Sequence, residues 1–373
     1  MIYFVVPRGQ EFGVLNYAED RAKGLLDRLS ILNYEDLGRT PWPSKGTYVL
    51  SALDQLTPEG LDFVREWCDH LRGEDPSVRI LNDPRATMCR FELLNALYQL
   101  GLNQHRVVRP QDKLADLRFP VFVRNEHHHS GSLSPLLHTQ TELRGAIAKA
   151  TLLGHPRQDL LVVEFVETAD DDGYYRKYAA HIIGEKIISR GLAVGTDWML
   201  KAAGSLRTRS IVFEQRAYVM ENPHEAELRR IFGIAKTEYG RIDYAIKDGR
   251  IETWEINLNP TLGRGVGPRP PRDRPPEVEQ LWQEVQGYLT ARFEEGFTAV
   301  DTPPQADSTM PPATFFQASR RDGPMIRPRI QPLKSVVLLR RIPFFGSALW
   351  PLLKLLAHGL KRGIQVLGMG RKE

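Results

Sequence analysis

Arg241-Ile242-Asp243, followed by Glu255-Ile256-Asn257, is the grouping whose residue types and spacing could do chemistry in this chain. Lys247-Asp248-Gly249-Arg250 lies between them as a turn sequence, so the whole reads as a β-hairpin. Side chains alternate along a strand, so Glu255 and Asn257 leave from one side, as do Arg241 and Asp243 on the other strand. All four share a face only if Asp243 pairs with Glu255. A two-residue Asp248-Gly249 loop pairs Asp243 with Trp254 and turns it away; a three-residue Asp248-Gly249-Arg250 loop pairs it with Glu255. In the second register two carboxylates and an amide oxygen make a hard-oxygen site for Mg²⁺ (or Mn²⁺) rather than zinc. Arg241, on the same face, would meet the terminal phosphate of a nucleotide.

Elements on either side must hold that hairpin in place. Residues 1–83 alternate apolar strands (Ile2 to Val6, Tyr48 to Leu53, Val78 to Leu81) with helices (Val14 to Leu29, Thr57 to Leu71), the pattern of a small parallel-sheet lobe. Thr57-Pro58 marks a helix start, Thr57 as N-cap and Pro58 in the first turn. A helix is expected from about Pro84 to Leu100, capped by Gly101, and another from Thr139 to Thr151. Strands are expected at Val107 to Arg109, Phe119 to Arg124, Leu160 to Phe165 and, as a pair around Gly184-Glu185, from Tyr175 to Val194. Asn222-Pro223-His224-Glu225 reads as a capping box opening a helix to about Thr237, and Pro276 to Phe297 as the last helix of the body.

The chain's 373 residues, 42% apolar and 26% charged, suit a globular protein of two or three lobes. Two cysteines, Cys68 and Cys89, build neither a disulfide framework nor a thiolate metal site, which fits a reducing compartment. The opening Met1-Ile2-Tyr3-Phe4-Val5-Val6-Pro7 reads as a buried strand rather than a leader. Net charge is +4, but Lys334 to Glu373 holds eight basic residues and one acid, so this tail carries +7 and residues 1–333 carry −3. The basic balance belongs to the tail, and the body shows no nucleic-acid stripe.

The string Gly240-Arg241-Ile242-Asp243…Glu255-Ile256-Asn257…Pro260 resembles the D-alanine–D-alanine ligases and related carboxylate–amine ligases of the ATP-grasp superfamily, over roughly residues 82–265. A basic residue before a small-residue loop, Arg124, and an apolar strand ending in Glu164 add to the likeness. The resemblance implies an α/β (α+β) ATP-grasp fold: an N-terminal Rossmann-like lobe over 1–83, an ATP-grasp domain of two subdomains over 84–300, a Pro-rich linker over 301–333 and a basic amphipathic tail over 334–373. It implies Mg²⁺ (or Mn²⁺) on Asp243, Glu255 and Asn257, and Arg241 against the transferring phosphoryl group. For ATP it implies Arg90 (with Arg85 as rival) and Arg124 on the phosphates and the loop of Ser130, Gly131 and Ser132 folding over them. Backbone of Phe165 and Val166 would meet adenine, and Glu164 or Glu167 the ribose, with Asp170 to Asp172 as competitors. Arg190, Lys201 and Arg176 would serve the substrate carboxylate or the γ-phosphate. His127-His128-His129 is an insertion in the loop; adjacent histidines cannot all face one metal, and at least two are expected in solvent.

The function so implied is ATP- and Mg-dependent ligation, a carboxylate being activated as acyl-phosphate for attack by an amine or similar nucleophile, with small-molecule or peptide substrates and no nucleic acid. A small-molecule kinase and a non-catalytic nucleotide-binding module are the alternatives. The expected location is cytoplasmic, with 334–373 as a peripheral contact on the inner membrane face, since its aromatic–aliphatic runs are broken by Pro343, Gly346 and Pro351 and are too interrupted to span. Docking of the tail on the body, or in a dimer, is the other reading.

Overall fold

The computed structural model describes residues 1–262 apart from Thr40, Ser44, Ser130, Ala202, Ala203 and Arg207, then 275–302, 313–314, 316 and 323–328. The tail expectation for 334–373 and most of the linker expectation lie outside the described residues, as does Ser130. The fold is mixed α/β, with parallel and antiparallel sheets. It divides into two compact units, residues 1–104 with 167–327, and a second that includes 105–166.

The first unit opens with β1 (Ile2–Val6), α1 (Phe12–Arg21), α2 (Lys23–Leu26), β2 (Leu29–Asn33), β3 (Trp42–Pro43), β4 (Thr47–Leu50), α3 (Pro58–Glu74), β5 (Arg79–Leu81) and α4 (Arg90–Gln99). The order β2-β1-β4-β5 is a parallel sheet. Every residue of β1 and β4 is buried, which is why Ile2–Val6 and Tyr48-Val49-Leu50 read as uninterrupted apolar runs. Two expectations change here. The helix expected over Val14 to Leu29 breaks at Ala22 (φ −132°, ψ 57°), and Leu29 already belongs to β2. The helix expected from Pro84 starts at Arg90, because the Asp83 carboxylate accepts from Arg85 N at 2.9 Å and holds 83–87 as a turn. Thr57 caps α3 as expected, its Oγ1 accepting from Gly60 N at 3.0 Å, and Gly101 after α4 takes the left-handed φ of +66°.

The second unit holds β6 (Val107–Val108), β7 (Val121–Asn125), α5 (Gln140–Leu152) and β8 (Leu160–Glu164). The antiparallel order is β6-β8-β7. Leu143 and Ile147 of α5 pack with Val121, Val123, Leu160 and Val162 as a core of their own, and Thr139, expected as the first helical residue, is instead the N-cap of α5.

The chain then returns to the first unit with β9 (Tyr175–Ile183), β10 (Lys186–Gly195), α6 (Arg209–Glu221), α7 (Glu225–Ala235), β11 (Tyr239–Lys247), β12 (Arg250–Asn257), α8 (Pro276–Val300) and β13 (Ala313–Thr314). The antiparallel order is β10-β9-β11-β12. Helix α6 was not foreseen. Asn222, expected as the N-cap of the next helix, instead ends α6 in the left-handed region at φ 48°, and His224 stands at the N-cap of α7. Inside the stretch expected as an extended linker, β13 pairs antiparallel with β3. No helix among the described residues is long and apolar enough to cross a membrane.

Asn82 ties the two sheets of this unit together. Wholly buried, it donates from Nδ2 to Leu50 O (3.1 Å) and Tyr239 O (2.7 Å), and its Oδ1 accepts from Glu238 N (2.9 Å) and Tyr239 N (3.0 Å). Asn82→Ala strands four backbone groups in the core and removes a residue type tolerant of its φ of +62°. It should lower unfolding free energy by about 4 kcal/mol in urea titrations, whereas a loss below about 1 kcal/mol would show that this junction is held elsewhere.

Candidate active site

The hairpin turn is the short one, and the register is nevertheless the productive one. Asp248 and Gly249 are the two loop residues, both left-handed (φ 51° and 72°), between Lys247 and its partner Arg250. Pairing runs Ile246↔Ile251, Ala245↔Glu252, Tyr244↔Thr253, and would next set Asp243 against Trp254. A β-bulge intervenes there, so Asp243 pairs with Glu255, Ile242 with Ile256 and Arg241 with Asn257. Arg241, Asp243, Glu255 and Asn257 therefore lie on one face, and Ile242 and Tyr244, both fully buried, on the other. The expectation that a two-residue loop excludes this arrangement is corrected: the extra residue comes from the bulge at Trp254 rather than from the loop.

The face is densely charged. Asp243 Oδ1 accepts from Arg241 Nε at 2.8 Å, and its Oδ2 lies 3.3 Å from Arg241 Nη2 and 3.4 Å from Lys177 Nζ. Asp243, and then its hydrogen bond, raises the Arg241 pKa against the opposing effect of burial. Glu255 is ion-paired with Arg90, the first residue of α4, whose side chain is 3% exposed. Asn257 Oδ1 accepts from Asn259 N at 2.8 Å, leaving its second lone pair. Two carboxylates thus stand against three cations. The donors are all hard oxygens, which fits Mg²⁺ or Mn²⁺; among the described residues there is no metal-sized cluster of three or more His, Cys, Asp or Glu. Arg90, expected on the nucleotide phosphates, is placed beside a cation-ligand candidate. Lys177 was missed: nothing in the local sequence of β9 says which strand will lie next to β11.

A second basic group adjoins. His181 is the cross-strand partner of Arg241 and fully buried; burial, then the Arg241 and Arg190 charges, push its imidazole well below the usual range. Arg190 sits at a bulge between Ser189 and Gly191, and burial with the nearby Arg241 and Arg21 charges pushes its guanidinium down to about 10. Arg190 and Arg241 are thereby within electrostatic reach of each other. Lys201 lies on an exposed loop, its carbonyl accepting from Gly204 N at 2.9 Å. Arg176 is committed to Glu214 (2.8 Å) and Asp170, and Arg85 to Asp69.

In the second unit, Arg124 is buried in β7 opposite Leu161 and bridged to Ser132. The Ser132 hydroxyl lies 2.5 Å from Ser134 O and 3.2 Å from Val123 O, so the segment expected to fold over phosphates closes onto its own strand, with Gly131 at φ 96°. The histidine expectation is corrected. His127 is buried, its Nε2 3.7 Å from Asp159 and 3.9 Å from Glu126; His128 is half-buried with its ring 5.7 Å from that of His155; His129 alone of the three is exposed.

Glu164 is also corrected. Its side chain is 1% exposed, and Arg106 (Nε 2.8 Å, Nη2 2.6 Å) and Arg118 (Nε 3.0 Å, Nη2 2.7 Å) close on its two oxygens with both of their backbone N–H groups. Burial alone would raise its pKa, but these hydrogen bonds hold it down at about 2. A carboxylate so saturated has no lone pair left for a ribose hydroxyl, and the ribose expectation passes to Glu167. That residue is exposed, its oxygens meeting Ala169 N (2.9 Å) and Tyr175 OH (3.1 Å). Phe165 N–H, expected to face adenine, is committed to Pro120 O at 3.0 Å.

No protein-family model matches the chain, and no curated protein matches it. Among solved structures it is similar to the D-alanine–D-alanine ligase from Bacillus anthracis complexed with ATP (11% identity, 79% of this chain and 99% of that one, TM-score 0.41). It is also similar to the D-alanine–D-alanine ligase from Coxiella burnetii (12%, 80% and 95%, TM-score 0.43) and the L-amino acid ligase from Bacillus licheniformis (11%, 70% and 67%, TM-score 0.38). At such identities the likeness concerns the fold alone.

Proposed function

We propose that the protein is an ATP- and Mg²⁺-dependent ligase that activates a carboxylate as an acyl-phosphate for attack by an amine. The observation that carries this reading is the bulge-corrected register setting Asp243 opposite Glu255 with Arg241 and Asn257 on the same face. Asp243, Glu255 and Asn257 would hold Mg²⁺ (or Mn²⁺), which when bound supplies charge neutralisation for the nucleotide phosphates. Arg241 and Lys177, both now on Asp243, are free to turn to a phosphoryl group once that carboxylate is occupied, and Arg241 stabilises the charge that develops as the group moves to the carboxylate oxygen. Arg190, within reach of Arg241, orients the anionic substrate. In the same reading Arg124 and Gly131 would meet the phosphates, and Val166 and Glu167 the adenosine.

Hydroxylamine distinguishes this from phosphorylation of a hydroxyl. Incubation with Mg·ATP, a pool of amino acids and short peptides, and hydroxylamine should release phosphate and yield a hydroxamate of the activated carboxylate. A stable phosphorylated product would assign a kinase instead, and no nucleotide-dependent product at all would reject both.

A further inference from the structure

Beyond α8 the chain returns to the parallel lobe and seats on the first turn of α3. Thr57 N donates to Met325 O (2.9 Å), Thr57 Oγ1 to Pro324 O (2.7 Å), Arg327 N to Gln55 O (2.9 Å) and Arg327 Nε to Leu56 O (3.0 Å). Leu56 and Ile326 form an antiparallel bridge. Upstream, Phe316 is buried edge-on against Phe63, ring centroids 5.4 Å apart. The seat is built for this segment: a Cβ added at Gly60 would overlap the Met325 carbonyl. Glycine has lower helix propensity than alanine, so Gly60 weakens α3 and admits the strap.

From that seat a line of hydrogen bonds reaches the cation-ligand face. Gln55 N donates to Ala52 O (2.9 Å), and Ala52 N to Leu258 O (3.1 Å). Ser51 Oγ donates to Leu258 O (2.8 Å) and lies 3.1 Å from Asn259 Oδ1, and Asn259 N donates to Asn257 Oδ1 (2.8 Å). Ala52 is held at φ +56°, a conformation that a non-glycine residue keeps only where its surroundings fix it. The strap grips both ends of the Gln55–Thr57 stretch, and that stretch, through Ala52, grips the residue following Asn257.

We infer that residues 324–327 are a positioning strap for Asn257, setting its amide oxygen for the cation; the inference rests on the proposed metal role of Asn257. Gly60→Ala in the full chain evicts the strap while strengthening α3 intrinsically, so loss of fold is not the expected result. Phe316→Ala loosens the same strap from its other end. In both variants, amide hydrogen exchange should quicken about 10-fold or more at Thr57, Ala52 and Asn259, and Mn²⁺ affinity, read by electron paramagnetic resonance without substrate, should fall about 3- to 10-fold. Faster exchange at Thr57 alone, with Ala52 and Asn259 unchanged, would overturn the coupling. So would unchanged Mn²⁺ affinity in an evicted strap. A wild-type chain that binds no Mn²⁺ would instead overturn the metal role of Asn257, with the exchange pattern still reporting whether the strap reaches that residue.

Discussion

Replacing Asp243 by Asn is expected to cut Mg²⁺-dependent phosphate release from ATP by about 10³-fold, the scale of a preorganised charge lost from a phosphoryl-transfer site. The substitution is close to isosteric, so the β11–β12 register, set by backbone pairing and the bulge at Trp254, should persist. What changes is charge. Arg241 and Lys177 both contact this carboxylate, and Arg241 owes its raised pKa first to Asp243. An amide accepts weakly from one guanidinium and cannot balance two cations, nor can it donate charge to a divalent ion. Mn²⁺ titration should show loss of the site alongside loss of turnover. Lys177→Met, which spares both carboxylates and Asn257, should cost far less, about 10-fold. Wild-type Mg²⁺ dependence in the Asp243→Asn protein would remove the metal from this face and with it the ligase reading.

Much of this site was legible because strands and caps write local rules into sequence. Arg241, Asp243, Glu255 and Asn257 announce themselves by residue type and alternation, and Thr57-Pro58 announces a helix start. The bulge does not: Trp254 looks like any strand residue, and only the mismatch between a two-residue turn and the Asp243↔Glu255 pair exposes it. Strand β2, Leu29–Asn33, was hidden because an edge strand with one fully buried residue lacks a continuous apolar run. Helix α6 was hidden because it buries only Tyr218 and Val219 and shows little amphipathic contrast. Asn222 fits a cap at either end of a helix, and its left-handed φ rather than its type decided which. Lys177 and the partners of Glu164 depend on contacts 66, 58 and 46 residues apart, which no local pattern encodes.

Those distant partners make Glu164 the residue whose loss should most damage the second unit. Glu164→Gln leaves Arg106 and Arg118 facing a neutral amide at the end of β8, and breaking a buried pair of this kind costs about 3–5 kcal/mol. The lower part of that range applies, because the Arg118 side chain is 61% exposed and its share is screened by water. The same contacts make a pH signature. The folded carboxyl lies at about 2 against an unperturbed value of 4.5, a difference equivalent to about 3 kcal/mol. For a depressed carboxylate the unfolded chain takes up protons first as pH falls. The contribution is therefore complete above the unfolded value, declines between about pH 5 and pH 2, and is gone below the folded value. Urea unfolding of wild type and Glu164→Gln at pH 7, 5, 4 and 3 should show a stability gap that is constant down to pH 5 and shrinks steadily thereafter. The gap must close from the wild-type side, since glutamine does not titrate. A gap unchanged at pH 3 would mean that the two arginines hold Glu164 by shape and hydrogen-bond geometry alone, and that its charge contributes nothing to keeping β6, β7 and β8 together.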